Sequence, residues 1–344
     1  MKLVIDQSIP FIHGVFEPYA EVVYLEGAIM GPEDVADADA LMVRTRTRCD
    51  AALLEGSKVK LIATTTIGTD HIDIDYCEKH GIFYKNATGC NAGGVMNYVF
   101  SALYGIAARK SIPLSGATIG IVGVGSSGHR VESMARQLGF KLLLCDPPRA
   151  EEEGASQFCS LDQLLAQSDI VTMHVPLTES TRKMADAGFF ARMRPGAFFI
   201  NTSRGEIVDE DALLAAIPRL GPVVIDTWNN EPDINRTLMD AVDIATPHIA
   251  GYSYQGKQLG TMMAARSVAR FFKISELYDF FPQADVPELE AVKLDLRGKN
   301  QGQIAATIQY NYPIFTDDFL FRINPEKFIQ LRKDYHYRRE FYFD

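Results

Sequence analysis

A short apolar run, Thr118-Ile119-Gly120-Ile121-Val122, leads directly into Gly123-Val124-Gly125-Ser126-Ser127-Gly128. The residues that follow carry a helical apolar stripe at Val131, Met134, Ala135 and Leu138. Strand, glycine turn and helix in that order open a βαβ unit, which constrains the chain to a parallel sheet covered by helices. Gly123 allows the tight turn, Gly125 lets backbone approach a pyrophosphate, and Gly128 lets the helix pack on the strand. The helix N-terminus adds unpaired N–H groups and partial positive charge for phosphates. Asp146 ends the next strand, where a carboxylate accepts hydrogen bonds from adenosine ribose hydroxyls and repels a 2′-phosphate. The expected cofactor is therefore NAD rather than NADP, a preference that nearby Arg149 weakens slightly.

The same alternation runs through most of the chain. Before residue 90, apolar runs at Leu3–Ile5, Val22–Leu25, Leu41–Val43, Leu61–Thr65 and Ile82–Tyr84 predict strands, with helical patterns such as Asp73–His80 between them. Cys90 to Lys110 predicts one long helix. A second alternation follows, with strands near Thr118–Val122, Lys141–Cys145, Ile170–His174, Phe198–Asn201, Val223–Asp226 and Ile244–Thr246. Ser160 with Gln163 reads as a capping box, Asp209–Ile217 as a helix, and Gln255–Phe272 as a second long helix. From Pro282 the pattern changes to mixed strand-like and helical pieces.

Composition narrows the function classes. The chain has 344 residues, 47% apolar and 23% charged, enough for a sizeable core in two or three domains. A net charge of −10 argues against nucleic acid or an anionic membrane as the main partner. It leaves room for an anionic small substrate held by a local arginine cluster. Cys49, Cys77, Cys90, Cys145 and Cys159 are odd in number, with no CxxC pair and no zinc spacing. Free thiols in a reducing cytosol are expected, with no bound metal. Lys2-Leu3-Val4-Ile5-Asp6 reads as a buried strand rather than a signal peptide, and no stretch reaches the length of a membrane span.

Three polar residues stand just beyond predicted strands. Arg204 follows Phe199-Ile200-Asn201-Thr202-Ser203, Glu231 sits in Asp226-Thr227-Trp228-Asn229-Asn230-Glu231-Pro232, and His248 sits in Thr246-Pro247-His248-Ile249-Ala250-Gly251-Tyr252. In open α/β sheets ligands bind beyond the carboxyl ends of strands. A guanidinium there grips a carboxylate bidentately, and an imidazole takes a hydroxyl proton near neutral pH. A carboxylate on the second ring nitrogen fixes the tautomer. Taken singly, each residue has an ordinary surface or loop reading. At three successive strand ends they indicate oxidation of a hydroxyl carbon beside a carboxylate, with hydride leaving for nicotinamide. Asp226 is expected to face the nicotinamide, or else to cap a turn. If the strand Leu41–Val43 continues, Arg44, Arg46 and Arg48 share one face and gather a phosphate.

These segments resemble the D-isomer-specific 2-hydroxyacid dehydrogenase family over about residues 1–280. The resemblance rests on the glycine fingerprint with Asp146, on Asn-Thr-Ser-Arg-Gly-Glu-Ile-Val-Asp, on Trp-x-x-Glu-Pro, and on Thr-Pro-His-Ile-Ala-Gly. It implies an α/β fold in which a Rossmann NAD-binding domain (94–254) is inserted in a flavodoxin-like substrate-binding domain (1–93 and 255–282). A small α+β C-terminal dimerisation domain (283–344) follows, giving a cytoplasmic homodimer whose domains close around the ligand. Segments Ala38–Thr45, Gly68–Asp73, Gly89–Ala92, Leu144–Ala150 and the C-terminal Leu-Arg-Lys-x-Tyr-x-x-Arg-Arg-Glu are similar to the branch acting on 4-phospho-D-erythronate in vitamin B6 synthesis. By that resemblance Arg204 and Glu231 are active-site residues and His248 is the proton donor or acceptor. Thr45, Thr66 and Tyr252 fall at substrate-binding positions, joined by Arg44 and Arg46. Asp146, Val175, Asp226 and Gly251 fall at NAD-contacting positions beside Gly123, Gly125, Ser126, Ser127, Gly128 and Thr202. Val175 stands where relatives carry threonine, which leaves only backbone contact there. The rival readings are a dehydrogenase for another 2-hydroxyacid, such as 3-phosphoglycerate, and a non-catalytic NAD(H)-sensing protein on the same fold.

Overall fold

The computed structural model describes residues 1–283 and 289–343; residues 284–288, at the start of the expected C-terminal segment, and Asp344 lie outside the described residues. The chain forms two compact units, Met1–Asn91 with Ser253–Glu290, and Ala92–Tyr252 with Ala291–Asp344. The family of βα alternations predicted along the sequence is present in both.

In the first unit, strands β1 (Lys2–Asp6), β2 (Glu21–Leu25), β3 (Ala40–Val43), β4 (Leu61–Thr64) and β5 (Phe83–Lys85) form a sheet in the order β2-β1-β3-β4-β5. All its pairings are parallel, and this is the flavodoxin-like order. Every residue of β3 and β4 is buried, as continuous apolar runs in a two-sided parallel sheet should be. The helix Tyr254–Phe272 returns to this unit, capped by Ser253, whose Oγ accepts the Gly256 N–H at 3.0 Å. Its Ala264, Ala265, Val268 and Ala269 share a core with Leu3, Ile5, Met42 and Ala63. Small residues on that face let the helix lie close to the sheet.

The strand does not continue through the arginines. β3 stops at Val43, and the Thr47 N–H donates to the Arg44 carbonyl at 3.1 Å, closing a turn. The alternation expected to align Arg44, Arg46 and Arg48 is therefore lost. Arg48 pairs instead with Asp50 at 2.7 Å. Asp50 is the N-cap of the next helix, so the local capping geometry claims the third arginine.

In the second unit, β6 (Thr118–Val122), β7 (Lys141–Cys145), β8 (Ile170–Met173), β9 (Phe198–Asn201), β10 (Val223–Ile225) and β11 (Ile244–Ala245) form a sheet in the order β11-β10-β9-β8-β6-β7. It too is parallel throughout. The order reverses between β6 and β8, which makes their carboxyl ends the switch point where ligands bind in such sheets. The capping box of Ser160 with Gln163 forms as the sequence predicts, and the helix expected over Asp209–Ile217 runs Glu210–Ala216 with Asp209 as its N-cap.

The helix Ala92–Lys110 is buried over fifteen of its nineteen residues. A helix that is buried all round needs cover on every side. Residues 291–344, distinct in pattern, supply part of it within this unit. They contain β12 (Val292–Leu294), β13 (Phe341–Phe343) and the helices Gln301–Asn311, Ile314–Ile323 and Phe328–Lys333. Two polar residues on the long helix anchor them. Asn97 Nδ2 donates to the Phe341 carbonyl at 2.7 Å, and its Oδ1 accepts the Phe341 N–H at 3.0 Å. Ser101 Oγ donates to the Tyr312 carbonyl at 2.6 Å. Replacing Asn97 with Ala leaves two buried backbone groups unpaired. The expected cost is about 2–4 kcal/mol of unfolding free energy, measured by chemical denaturation.

Candidate active site

The glycine loop after β6 is shaped by close approach. A Cβ on Gly128 would stand 2.0 Å from the Gly123 carbonyl oxygen, so only glycine lets the helix Ser126–Gln137 start so near the strand. Gly123 has φ +86°, and a Cβ there would meet the carbonyl of His174, the residue after β8, at 2.8 Å. The two strand ends of the switch point thus touch through a residue without a side chain. Gly125 differs: nothing lies within 4 Å of where its Cβ would sit, and it caps the helix without a side-chain bond. Open backbone at an uncapped helix start suits the pyrophosphate of a dinucleotide. Asp146, at the end of β7, accepts the Val124 N–H at 2.7 Å and the Arg149 N–H at 3.2 Å. These two bonds tie it to the glycine loop and to the start of the next helix. The Arg149 side chain donates to both Glu153 oxygens at 2.7 Å and, from Nη1, to the Val124 carbonyl at 2.7 Å, so it is held beside the glycine loop.

Arg204, Glu231 and His248 follow β9, β10 and β11, three adjacent strands. The first two loops are locked together at Gly205, where a Cβ would stand 1.9 Å from the Trp228 carbonyl carbon. Asn201 ties the same loops, donating from Nδ2 to the Arg204 carbonyl and to Thr227 Oγ1, each at 3.1 Å.

His248 and Glu231 form a pair. His248 Nδ1 lies 2.8 Å from Glu231 Oε2 and 3.1 Å from Oε1. Glu231 also accepts the Trp228 N–H at 3.0 Å. A carboxylate on Nδ1 selects the Nδ1–H tautomer and leaves Nε2 as the basic nitrogen. Burial pushes the Glu231 carboxyl up, but His248, the Trp228 N–H and Arg332 outweigh it and hold the pKa below the ordinary value. Glu231 is therefore an anion ready to stabilise an imidazolium.

His248 itself has φ +57°, left-handed backbone that a non-glycine residue adopts only when its surroundings impose it. The surroundings are explicit. The His248 N–H donates to the Asp226 carbonyl at 2.7 Å. The Asp226 carboxylate accepts Thr246 Oγ1 at 2.6 Å, the Ile249 N–H at 2.8 Å and the Ala250 N–H at 2.9 Å. Asp226 is 1% exposed, and burial raises its pKa against the opposing effect of these partners and of His248. Of the two readings of Asp226, the turn cap describes its contacts in this structure. From the other side, Arg338 Nη1 donates to the Ile249 carbonyl at 3.1 Å, and its Nη2 donates to the Ala250 carbonyl.

The remaining predicted residues fall in two groups. In the second unit, Thr202 Oγ1 lies 3.4 Å from His174 Nδ1, Val175 adjoins the glycine loop, Gly251 lies inside the turn that the Tyr252 N–H closes on the Ile249 carbonyl at 2.8 Å, and the Tyr252 ring packs 5.9 Å from that of Tyr335. In the first unit, Arg44, Thr45, Arg46 and Thr66 lie just past the adjacent strands β3 and β4. Arg44 Nη1 donates to the Ser8 carbonyl at 3.0 Å, and Thr45 and Arg46 are exposed. Thr66 Oγ1 lies 2.8 Å from Thr64 Oγ1.

Three residues of the site escape the sequence analysis. His174 directly follows β8 at the switch point, and burial pushes its imidazole pKa down to about 3, so it is a neutral hydrogen-bonding group between Thr172 and Thr202. Its place at a strand end was a usable signal. Arg338 and Arg332 come from the C-terminal segment, and no local pattern connects them with Glu231 or His248.

Substituting Gly205 with Ala forces the Arg204 and Trp228 loops apart. The expected result is a loss of about 100-fold in kcat/KM at nearly unchanged NAD affinity, checked by steady-state kinetics and cofactor titration.

Residues 104–250 match the family model for the D-isomer specific 2-hydroxyacid dehydrogenase, NAD binding domain. An erythronate-4-phosphate dehydrogenase of Bacteroides fragilis is 43% identical over 347 residues, covering 99% of this chain and 97% of that one. Another, from Chromohalobacter salexigens, is 45% identical over 278 residues, covering 79% of this chain and 73% of the relative. Among solved structures, the NAD+-bound 3-phosphoglycerate dehydrogenase of Entamoeba histolytica is similar with a TM-score of 0.69 and 25% identity, over 83% of this chain and 99% of that one. Full-length similarity at this level, on a chain that carries the Arg204, Glu231 and His248 arrangement, places it in the erythronate-4-phosphate dehydrogenase branch of the D-isomer-specific 2-hydroxyacid dehydrogenase family.

Proposed function

We propose that this protein is the NAD-dependent dehydrogenase that oxidises 4-phospho-D-erythronate to 2-oxo-3-hydroxy-4-phosphobutanoate in pyridoxal 5′-phosphate synthesis. The observation that carries the reading is the His248–Glu231 pair at 2.8 Å, formed across the ends of β11 and β10 beside the β9 end that Arg204 follows. Neither a glycine loop alone nor the fold alone would require it.

The residues act as follows. The Arg204 guanidinium grips the C1 carboxylate and sets C2 beside the imidazole. His248 Nε2 takes the C2 hydroxyl proton, and the Glu231 carboxylate stabilises the resulting imidazolium. The C2–H electron pair leaves as hydride, and the C2–O bond becomes a carbonyl, whose developing dipole Arg204 also stabilises. NAD, when bound, supplies the hydride acceptor. Gly123, Gly125, Ser126, Ser127 and Gly128 would hold its pyrophosphate and Asp146 its ribose, and Val175, Thr202, Asp226 and Gly251 would stand at its nicotinamide end. Arg44, Thr45, Arg46, Thr66 and Tyr252 are the substrate contacts, with the two arginines for the phosphate.

The test is NADH formation by purified protein with 4-phosphoerythronate against glycerate, lactate and 3-phosphoglycerate. Turnover of the first at a kcat/KM at least about 100-fold above the others is expected. His248→Ala is expected to abolish it, and Arg44→Ala to raise KM for the phosphorylated acid alone. NADH binding without turnover of any of these acids would support a sensor and defeat the reading.

The quaternary proposal is a cytoplasmic homodimer formed through the C-terminal segment. It is supported by exposed Phe319, Leu320 and Ile323, which sit at i, i+1 and i+4 on one side of the helix Ile314–Ile323. An apolar face of this kind marks a protein contact. Light scattering should give twice the mass of one chain, and a Phe319→Glu, Ile323→Glu double variant should give a single chain.

A further inference from the structure

The Glu231 carboxylate has a second cation beside it. Oε1 takes the Trp228 N–H and Oε2 faces His248, while Arg332 Nη1 stands 3.9 Å from Oε2. That is too long for a hydrogen bond but short for a charge pair. The side chain of Glu231 is 20% exposed and that of Arg332 24%, so water screens the attraction only in part.

No hydrogen bond to Arg332 is found among the described residues. Among the described residues its buried Nε has no partner. Its guanidinium carbon lies 5.8 Å from the centre of the Tyr252 ring and 5.7 Å from that of Phe328. Two aromatic faces and the carboxylate fix its place. Arg332 is the second residue of the Leu-Arg-Lys run in the C-terminal segment, more than 80 residues beyond His248.

We propose that Arg332 is a positioning residue for the catalytic pair, fixing the Glu231 carboxylate, as an anion, against His248 Nδ1. The inference rests on the proposed dehydrogenase reading and adds the C-terminal segment to its active site. Arg332 touches no reacting atom. It acts through Glu231, which must keep its charge while His248 becomes an imidazolium. Without Arg332, one face of the carboxylate is free to rotate towards solvent, and the imidazole loses its fixed partner.

The experiment is single-turnover NADH formation by the full chain with saturating NAD, over a range of 4-phosphoerythronate concentrations. Wild-type protein runs alongside, and its turnover alone bears on the dehydrogenase reading. Arg332→Met and Arg332→Ala are expected to slow the limiting rate about 10-fold, with the half-saturating substrate concentration within about two-fold of wild type. Arg332→Lys should recover most of the rate, and millimolar guanidinium should partly restore Arg332→Ala. Thermal unfolding within a few degrees of wild type certifies the fold of each variant. An unchanged limiting rate overturns the proposal. So does a raised half-saturation with an unchanged rate, which would make Arg332 a ligand of the substrate anion. A loss that neither lysine nor guanidinium repairs overturns it as well.

Discussion

The geometry of the catalytic turn depends on a buried carboxylate. Asp226 accepts the N–H groups of Ile249 and Ala250 and the Thr246 hydroxyl, and its own carbonyl accepts the N–H of His248. These bonds hold His248 in left-handed backbone that it would not otherwise adopt. Arg338 takes the carbonyls of the same two residues from the opposite side. Ile249 and Ala250 therefore have both their donors and their acceptors engaged by side chains of opposite charge. The turn is thus held from both its donors and its acceptors, which fixes the position of the His248 imidazole.

The parallel sheet explains why such a clamp is available. In a parallel sheet every strand ends at the same edge, so the loops after β9, β10 and β11 lie side by side although they are far apart in sequence. Gly205 and Asn201 join the first two loops, and Asp226, at the end of β10, joins the second to the third. His248 is thus braced from the end of β10, while Arg204 and Glu231 are held both by their own loops and by a neighbouring one.

This also separates what could be read in the chain from what could not. The strands and the glycine turn were legible because they are local: β6 and Gly123–Gly128 declare themselves within eleven residues. Arg204, Glu231 and His248 were legible because strand ends can be counted along the chain. The Arg44 to Arg48 alignment failed because a single backbone hydrogen bond, Thr47 to Arg44, turns the chain where alternation requires an extended strand. Arg332 and Arg338 were beyond reach because their partners lie more than 80 residues away and share no pattern with them.

The C-terminal segment and the long helix Ala92–Lys110 explain each other. The helix presents Asn97 and Ser101 within an otherwise apolar buried surface, and such groups are tolerated only when paired. Their partners are the backbone of Phe341 and Tyr312, with Gln309 Nε2 also donating to the Ser101 carbonyl at 2.7 Å. The segment that satisfies the helix is the one that carries Arg338 to the His248 turn. A chain shortened before residue 291 would expose the helix, strand two buried polar side chains, and leave the Ile249 and Ala250 carbonyls without their guanidinium. Cover for the helix and support for the catalytic turn are one structural device, so the segment cannot be treated as an appendage to the dehydrogenase fold.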